Sequence, residues 1–296
     1  MELTHRSGAL FVLTAGLIFS FGSLIFRATD DIGAWQYLTL RGYGAVVVIL
    51  PVLFVQRKGQ VIRVLRKTEP VHVVAGLLLG SLMCTFIVAL THTDTAFVLL
   101  FQGAAPISAA VFSWLLLRER ISQPAMVATV GALTGVVIMA AGGLDAGLGW
   151  PILIVVYMPI ALGLYTVLIR SGPAIDSLVP ALIGGFTAGT TGLVVSLAGA
   201  GFPISGHDAA LGLFAGVALV ALPLPLYTLA QRVVPAPEAV LLLMSEIVLA
   251  PVWVWMAFDE RPTGVTLVGG SVMFISVVWL TMKTVRPGEV VSTSRG

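Results

Sequence analysis

Glu246 stands in the middle of an apolar run, Leu242-Leu243-Met244-Ser245-Glu246-Ile247-Val248-Leu249. A carboxylate at such a place is costly and must face a cavity or a partner. It can carry a proton or hold a substrate ammonium. It can equally be a packed group bonded to nearby Ser, Thr or Tyr. Arg41 is a second charge of this kind, inside the apolar stretch 33–55. Its long stem can lift the charge to the surface; it can also pair with an acid such as Asp94 or bind a carboxylate. Gln102, Tyr157 and Tyr227 place polar groups within other apolar runs, and Ser20 and Thr85 add hydroxyls. Tyr165 lies near the end of its run and suits an interfacial anchor. Pro106, Pro159, Pro223 and Pro251 lie inside apolar runs as well. Each removes a backbone donor and frees the carbonyl four residues earlier, on Gln102, Val155, Leu219 and Ile247. The expected outcome is a kink or hinge; a freed carbonyl facing a cavity would also bind an ammonium or hydroxyl.

The elements that carry these groups follow from composition. Of 296 residues 58% are hydrophobic and 10% charged, and mean hydropathy is +1.03. Soluble domains carry about 25% charged residues, so this chain could not cover a water-facing surface. The apolar runs predict ten membrane helices: 8–26, 33–55, 71–91, 95–117, 124–142, 150–169, 178–199, 208–230, 237–257 and 263–283. Each approaches the roughly 20 residues needed to cross about 30 Å of hydrocarbon. The first run is followed by Arg27-Ala28-Thr29-Asp30-Asp31 without a small-residue cleavage site, so it reads as an uncleaved first span. Placing the N-terminus in the cytoplasm leaves only Arg27, Arg41 and Arg261 of the 16 Lys and Arg outside the inner segments. Asp30, Asp31, Asp94, Asp145, Asp208, Asp259 and Glu260 then fall outside. This segregation predicts both termini inside. The basic stretch Arg57–Lys67 reads as a topology signal rather than a lipid-binding patch.

The two halves resemble each other. A shift of 141 aligns Trp114 with Trp255, Glu119 with Glu260, Arg120 with Arg261 and Ser122 with Thr263. Leu24-Ile25-Phe26-Arg27 likewise resembles Val167-Leu168-Ile169-Arg170. Five helices is an odd number, so residues 1–145 and 146–296 form two repeats of opposite orientation around a central cavity. The pattern Pro106…Leu117-Arg118-Glu119-Arg120-Ile121-Ser122 with Gly131 and Gly135, and its second copy Glu246…Pro251…Trp255…Glu260-Arg261-Pro262-Thr263 with Gly269-Gly270, resembles the EamA repeat of the drug/metabolite transporter superfamily. Gln36 and Arg41 sit where the first repeat typically has an arginine, while Arg118 and Asp259 stand where a glycine is usual. The comparison extends to the YddG-type amino-acid exporters, a branch that no quoted residue singles out. The resemblance implies a cavity lined by helices 1, 3, 4, 6, 8 and 9. Ser20, Thr85, Gln102, Tyr157, Tyr227 and Glu246 then become candidate substrate-binding residues, with Glu246 the candidate coupling group.

Absences narrow the function. No G-x-x-x-x-G-K-[ST] or H-E-x-x-H motif occurs, and no nucleophile–base pair stands out. Cys84 is the only cysteine, and His5, His72, His92 and His207 are too far apart for a zinc motif. Small-residue pairs at Gly76/Gly80, Gly131/Gly135, Gly185/Gly189 and Gly212/Gly216 permit close helix contacts, within the bundle or between copies. The expectation is a non-enzymatic secondary transporter in the bacterial inner membrane, exporting amino acids by alternating access. The alternatives are export of another small metabolite or drug-like compound, or a membrane enzyme or receptor without flux. The partners expected are a small-molecule substrate, the bilayer and protons; no nucleic acid, metal or cofactor is expected.

Overall fold

The computed structural model describes residues 3–30, 32–92, 102–119, 121–141, 151–171, 176–199, 201–258 and 264–285. Every regular element among them is helical. Six long helices are α3 (Ala34–Gln56), α5 (Pro70–His92), α7 (Gln123–Ala141), α8 (Pro151–Ser171), α9 (Val179–Ala198) and α14 (Gly264–Val285). Their ends lie within two residues of the runs read from hydropathy. A short helix, α4 (Val61–Arg66), occupies the basic loop.

The other runs are interrupted. α1 (His5–Phe19) opens on a capping box in which Thr4 and Ser7 satisfy each other's backbone N–H. It gives way at Ser20 and Phe21 to α2 (Gly22–Arg27). α6 (Ala105–Phe112) runs into a wide π-type turn, Ser113–Leu117. A similar turn, Val217–Ala221, separates α10 (Gly206–Gly216) from α11 (Pro223–Ala230). α12 (Ala236–Leu243) and α13 (Ser245–Phe258) part at Met244. Residues 95–101, expected to open the fourth span, lie outside the described residues, as do Asp94, Arg120, Glu260 and Arg261.

Proline explains one of these turns. Pro223 has no N–H, and its ring crowds the carbonyl of Leu219. The chain instead closes a wider ring, with Leu222 N–H donating to Val217 O at 3.2 Å. Pro106 differs from the expected mid-helix kink: it sits in the first turn of α6, where a missing N–H leaves no bond unmade. Pro159 lies inside α8, and Pro51 inside α3. Pro251 falls within the span of α13. The turn after α6 ends with Arg118 at φ 55°, a left-handed backbone that favours glycine. This is the position where the repeat pattern usually has one.

The surface is that of a protein in lipid. Val55 is 76% exposed and Leu153 and Met256 each 73%, which water would penalise and hydrocarbon favours. Among the described residues, seven helices are long and apolar enough to cross a membrane. The chain is a multi-pass membrane protein.

Packing inside the bundle uses the small residues. Gly185 and Gly189 of α9 meet the backbone of α3 at Gly42 and Tyr43. Gly212 and Gly216 of α10 meet α3 at Leu40 and Arg41. Gly76 and Gly80 of α5 meet Ile183 and Thr187 of α9, and Gly131 and Gly135 of α7 meet Ser276, Gly269 and Met273 of α14. All four pairs are taken up by neighbours in the same chain. The principal helix contacts are α3 with α9 and α10, α5 with α8 and α9, α6 with α8 and α12, α1 with α11 and α12, and α7 with α14.

Candidate functional site

Two interrupted helices meet where the sharpest chemistry lies. The break at Met244 leaves Ser245 and Glu246 in the first turn of α13, where the helix dipole favours a carboxylate. Gln102 precedes α6, before the turn at Gly103 and Ala104. Its Nε2 donates to Glu246 Oε1 at 3.2 Å. Gln102 and Glu246 line one small cavity together with Leu162, Val240, Leu243, Met244 and Ile247. Its walls come from segments on both sides of residue 146. Buried polar atoms without a hydrogen-bond partner among the described residues include Gln102 Oε1 and, next to Glu246 in the chain, Ser245 Oγ.

A second polar layer is more completely paired, although both side-chain amide atoms of the neighbouring Gln231 have no partner among the described residues. Tyr165 and Tyr227 stack with ring centres 6.4 Å apart. Tyr227 OH lies 2.9 Å from Thr166 Oγ1, and Tyr165 OH lies 3.3 Å from Thr228 Oγ1. The two Tyr-Thr dipeptides therefore bond each other reciprocally across α8 and α11. Below them, Arg170 donates from Nη2 to Glu119 Oε1 at 2.9 Å. Its Nη1 donates to the carbonyls of Gln231 and Val234 at 3.0 and 2.9 Å. One guanidinium thus ties the end of α8 to the turn after α6 and to the α11–α12 connection. Two further contacts cross residue 146: the ion pair of Arg57 Nε with Asp176 at 2.7 Å and the approach of His5 Nε2 to the Glu238 carboxylate at 3.3 Å.

Residues 6–141 match the EamA-like transporter family. Over this stretch, just under half of its length, the chain is similar to the EamA-like transporters of the drug/metabolite transporter superfamily. The match supports a membrane transporter of small molecules. No curated protein sequence matches the chain. Among solved structures, a crystal structure of a protein superposes with a TM-score of 0.76 at 18% identity, covering 95% of this chain and 99% of the other. That likeness is one of fold and takes in both halves of the chain.

The fold places the other predicted residues less centrally. Ser20 is buried at the α1–α2 break and accepts from Trp253 Nε1 at 2.8 Å, while Phe21 stacks on the same indole. Thr85 turns its hydroxyl back onto the carbonyls of Ser81 and Leu82. Tyr157 OH lies 2.5 Å from Ser81 Oγ, which joins α8 to α5. Tyr227 belongs to the paired layer. Tyr165 is wholly buried rather than placed at an outer surface, because its hydroxyl finds Thr228 within the bundle. Gln36 caps α3 by accepting from Gly33 N–H at 2.7 Å, and donates to Gly201 O at 3.0 Å.

Thr166, Thr228, Gln231, Ser81 and Trp253 escaped the sequence reading. A signal was present for two of them: Leu164-Tyr165-Thr166 and Leu226-Tyr227-Thr228 are the same tripeptide, each followed four residues after its threonine by an arginine. A further cluster joins distant loops. His207 Nδ1 lies 3.5 Å from Asp30 and 3.8 Å from Asp208. Asp208 already accepts the Asp30 N–H at 2.9 Å, and its own N–H is capped by Ser205 at 3.0 Å. These bonds clasp the α2–α3 loop to the start of α10.

Proposed function

We propose that this transporter moves small zwitterionic metabolites, amino acids foremost, outward across the bacterial inner membrane by alternating access. The observation that carries this reading is the Glu246–Gln102 contact at two interrupted helices that face each other in the bundle. Broken helices that meet at the midplane are where secondary transporters hold polar cargo. Glu246 supplies an acceptor for a substrate ammonium and a group able to carry a proton.

The helix contacts support two inverted repeats, residues 1–145 and 146–296, in a ten-helix chain. Exchanging the repeats turns the α5–α8 contact into α11–α1, α5–α9 into α10–α3, and α6–α8 into α12–α1. The contacts α3–α9, α7–α14 and α6–α12 map onto themselves. Opposed orientation lets one half rock against the other about a central site. The distribution of Lys and Arg supports a cytoplasmic location for both termini. The ion pairs of Arg170 and Arg57 and the His5–Glu238 contact then lie on the cytoplasmic side, and prolines 159, 223 and 251 are the candidate hinges within the spans, with Pro106 at the start of α6.

Reconstituted liposomes loaded with radiolabelled amino acids test the function. Release or exchange faster than from protein-free vesicles is expected for at least one of them. A panel in which none exceeds the control overturns the amino-acid reading. Single cysteines at positions 102 and 246 should react from either side of the membrane; reaction from one side only would remove alternating access.

A further inference from the structure

The short helix α4 lies where α3 leaves the apolar layer. Phe54 and Val55, in the last turn of α3, are still exposed on the apolar surface. The chain then reverses in one tight turn. Lys58 and Gly59 take left-handed backbones, at φ 47° and 79°, and Gly59 N–H donates to Phe54 O at 2.8 Å. The helix Val61–Arg66 follows, with Lys67 at its cap. At about 3.6 residues per turn, Arg63, Arg66 and Lys67 share one face of it, and Val61, Ile62 and Leu65 share the opposite one. Val61 is buried in the core of the bundle, whereas Ile62 is 69% exposed and Leu65 is exposed beside it. Positive charge anywhere in a loop suffices to orient a membrane chain. Orientation does not require that charge to be gathered on one helix face, with aliphatic side chains uncovered on the other. In water the exposed Ile62 is unfavourable; at the bilayer boundary it enters the acyl region while the basic face stays at headgroup level. Residues 57–69 carry Arg57, Lys58, Arg63, Arg66 and Lys67 against a single acid, Glu69. Arg57 is engaged by Asp176 at 2.7 Å, and even with that acid counted positive charge is in excess.

We propose that α4 is an interfacial helix whose basic face, Arg63, Arg66 and Lys67, binds the phosphates of anionic phospholipids in the cytoplasmic leaflet, with Ile62 and Leu65 inserted beside their acyl chains. The leaflet rests on the orientation proposed above; the class of lipid does not. A net negative headgroup is required, because a zwitterionic one brings its own cation against the basic face.

The test uses the full chain, stripped of lipid in detergent and titrated with phosphatidylglycerol, with phosphatidylcholine and with soluble glycerol 1-phosphate, binding being followed by thermal stabilisation. Phosphatidylglycerol should bind more tightly than phosphatidylcholine, and added salt should shrink the difference. Replacing Arg63, Arg66 and Lys67 together by Gln should weaken phosphatidylglycerol binding by about 100-fold, roughly five-fold for each charge. All three side chains are exposed, so the variant should fold, and Arg57 is kept because it pairs with Asp176. Arg63→Lys with Arg66→Lys keeps the charge and should keep the preference; its loss would overturn the electrostatic basis. Ile62→Gln should weaken both lipids alike. An unchanged preference in the triple glutamine variant overturns the role of α4, and equal stabilisation by glycerol 1-phosphate overturns the requirement for a lipid. Lys67→Cys, in a Cys84→Ala background, should react with a membrane-impermeant thiol reagent from the cytoplasmic side only. Reaction from the opposite side alone overturns the orientation, and the leaflet with it, while the lipid class stands or falls on the titration.

Discussion

The polar interior divides into two regions that treat charge in opposite ways. Around Arg170, the charged groups are matched: four hydrogen bonds run from one guanidinium to Glu119 and to two carbonyls, below a reciprocal pair of Tyr–Thr bonds, and the Gln231 amide alone beside them is buried without a partner among the described residues. Around Glu246, a single bond from Gln102 is accompanied by buried polar atoms that lack partners. Matched groups hold one arrangement in place, since breaking any bond strands its partner. Unmatched groups reduce stability and are retained where something else completes them. The first region has the properties of a closure and the second those of a site.

Removing Glu246 gives the largest separation between the two. Glu246→Ala should lower amino-acid exchange by about 10- to 100-fold, since a charged acceptor is lost. Thermal stability in detergent should hold or rise, because an incompletely solvated carboxyl leaves the interior. Glu246→Gln retains an oxygen for the ammonium. It should preserve exchange while removing any dependence on a pH gradient; an unchanged dependence would exclude Glu246 from coupling. Loss of stability in Glu246→Ala would place this carboxyl with the structural groups instead.

Arg170→Gln reverses the pattern. It strands Glu119 and the two carbonyls, and destabilisation of about 2 kcal/mol is expected, discounted because both partners are partly exposed. The same variant should raise the reactivity of a cysteine at Thr228 toward a water-soluble thiol reagent added from the cytoplasmic side. Glu119→Gln should give a smaller change in the same direction. A variant that is destabilised yet no more reactive would make this network a fixed strut.

How much of this could be read beforehand differs between the regions. Glu246 was conspicuous because hydropathy makes a lone carboxylate in a run of leucines stand out, and Gln102 was visible for the same reason. Their contact was not, since Gln102 and Glu246 are 144 positions apart and only the tertiary fold brings them together. The straight helices were legible to within two residues because their apolar runs are bounded by charge and proline. The interruptions at Ser20 and Met244 carry no such mark: neither position has a proline or glycine of its own. The Tyr–Thr layer was overlooked because tyrosine and threonine are unexceptional in apolar helices, and only their repetition in Leu-Tyr-Thr identifies them. Arg118 shows the reverse: the residue looked like a departure from the repeat, and the left-handed backbone beneath it preserved the pattern.

Within the matched region, Tyr227→Phe removes one hydroxyl from a network in which Thr166 still donates to the Leu162 carbonyl. A loss of about 1 kcal/mol is expected, with substrate preference unchanged. Tyr165→Phe should have a similar effect, and the double variant should fall short of the sum if the two pairs act as one layer. A change in preference with little loss of stability would move Tyr227 into the site, where the sequence reading had placed it.

The smallest expected effect lies at the edge of the closure. Arg118 holds φ at 55° where the turn after α6 ends, immediately before Glu119. An L-residue in that conformation is strained, and glycine relieves the strain at the expense of a more flexible unfolded chain. Arg118→Gly should therefore raise stability by about 0.5–1 kcal/mol, measured against Arg118→Ala, which removes the same side chain and retains the strain. Because Glu119 is the next residue, a firmer turn should also hold its bond to Arg170 and lower the cytoplasmic reactivity at Thr228. Equal stability in the glycine and alanine variants would show that the turn is fixed by its neighbours, and that the closure depends on the ion pair alone.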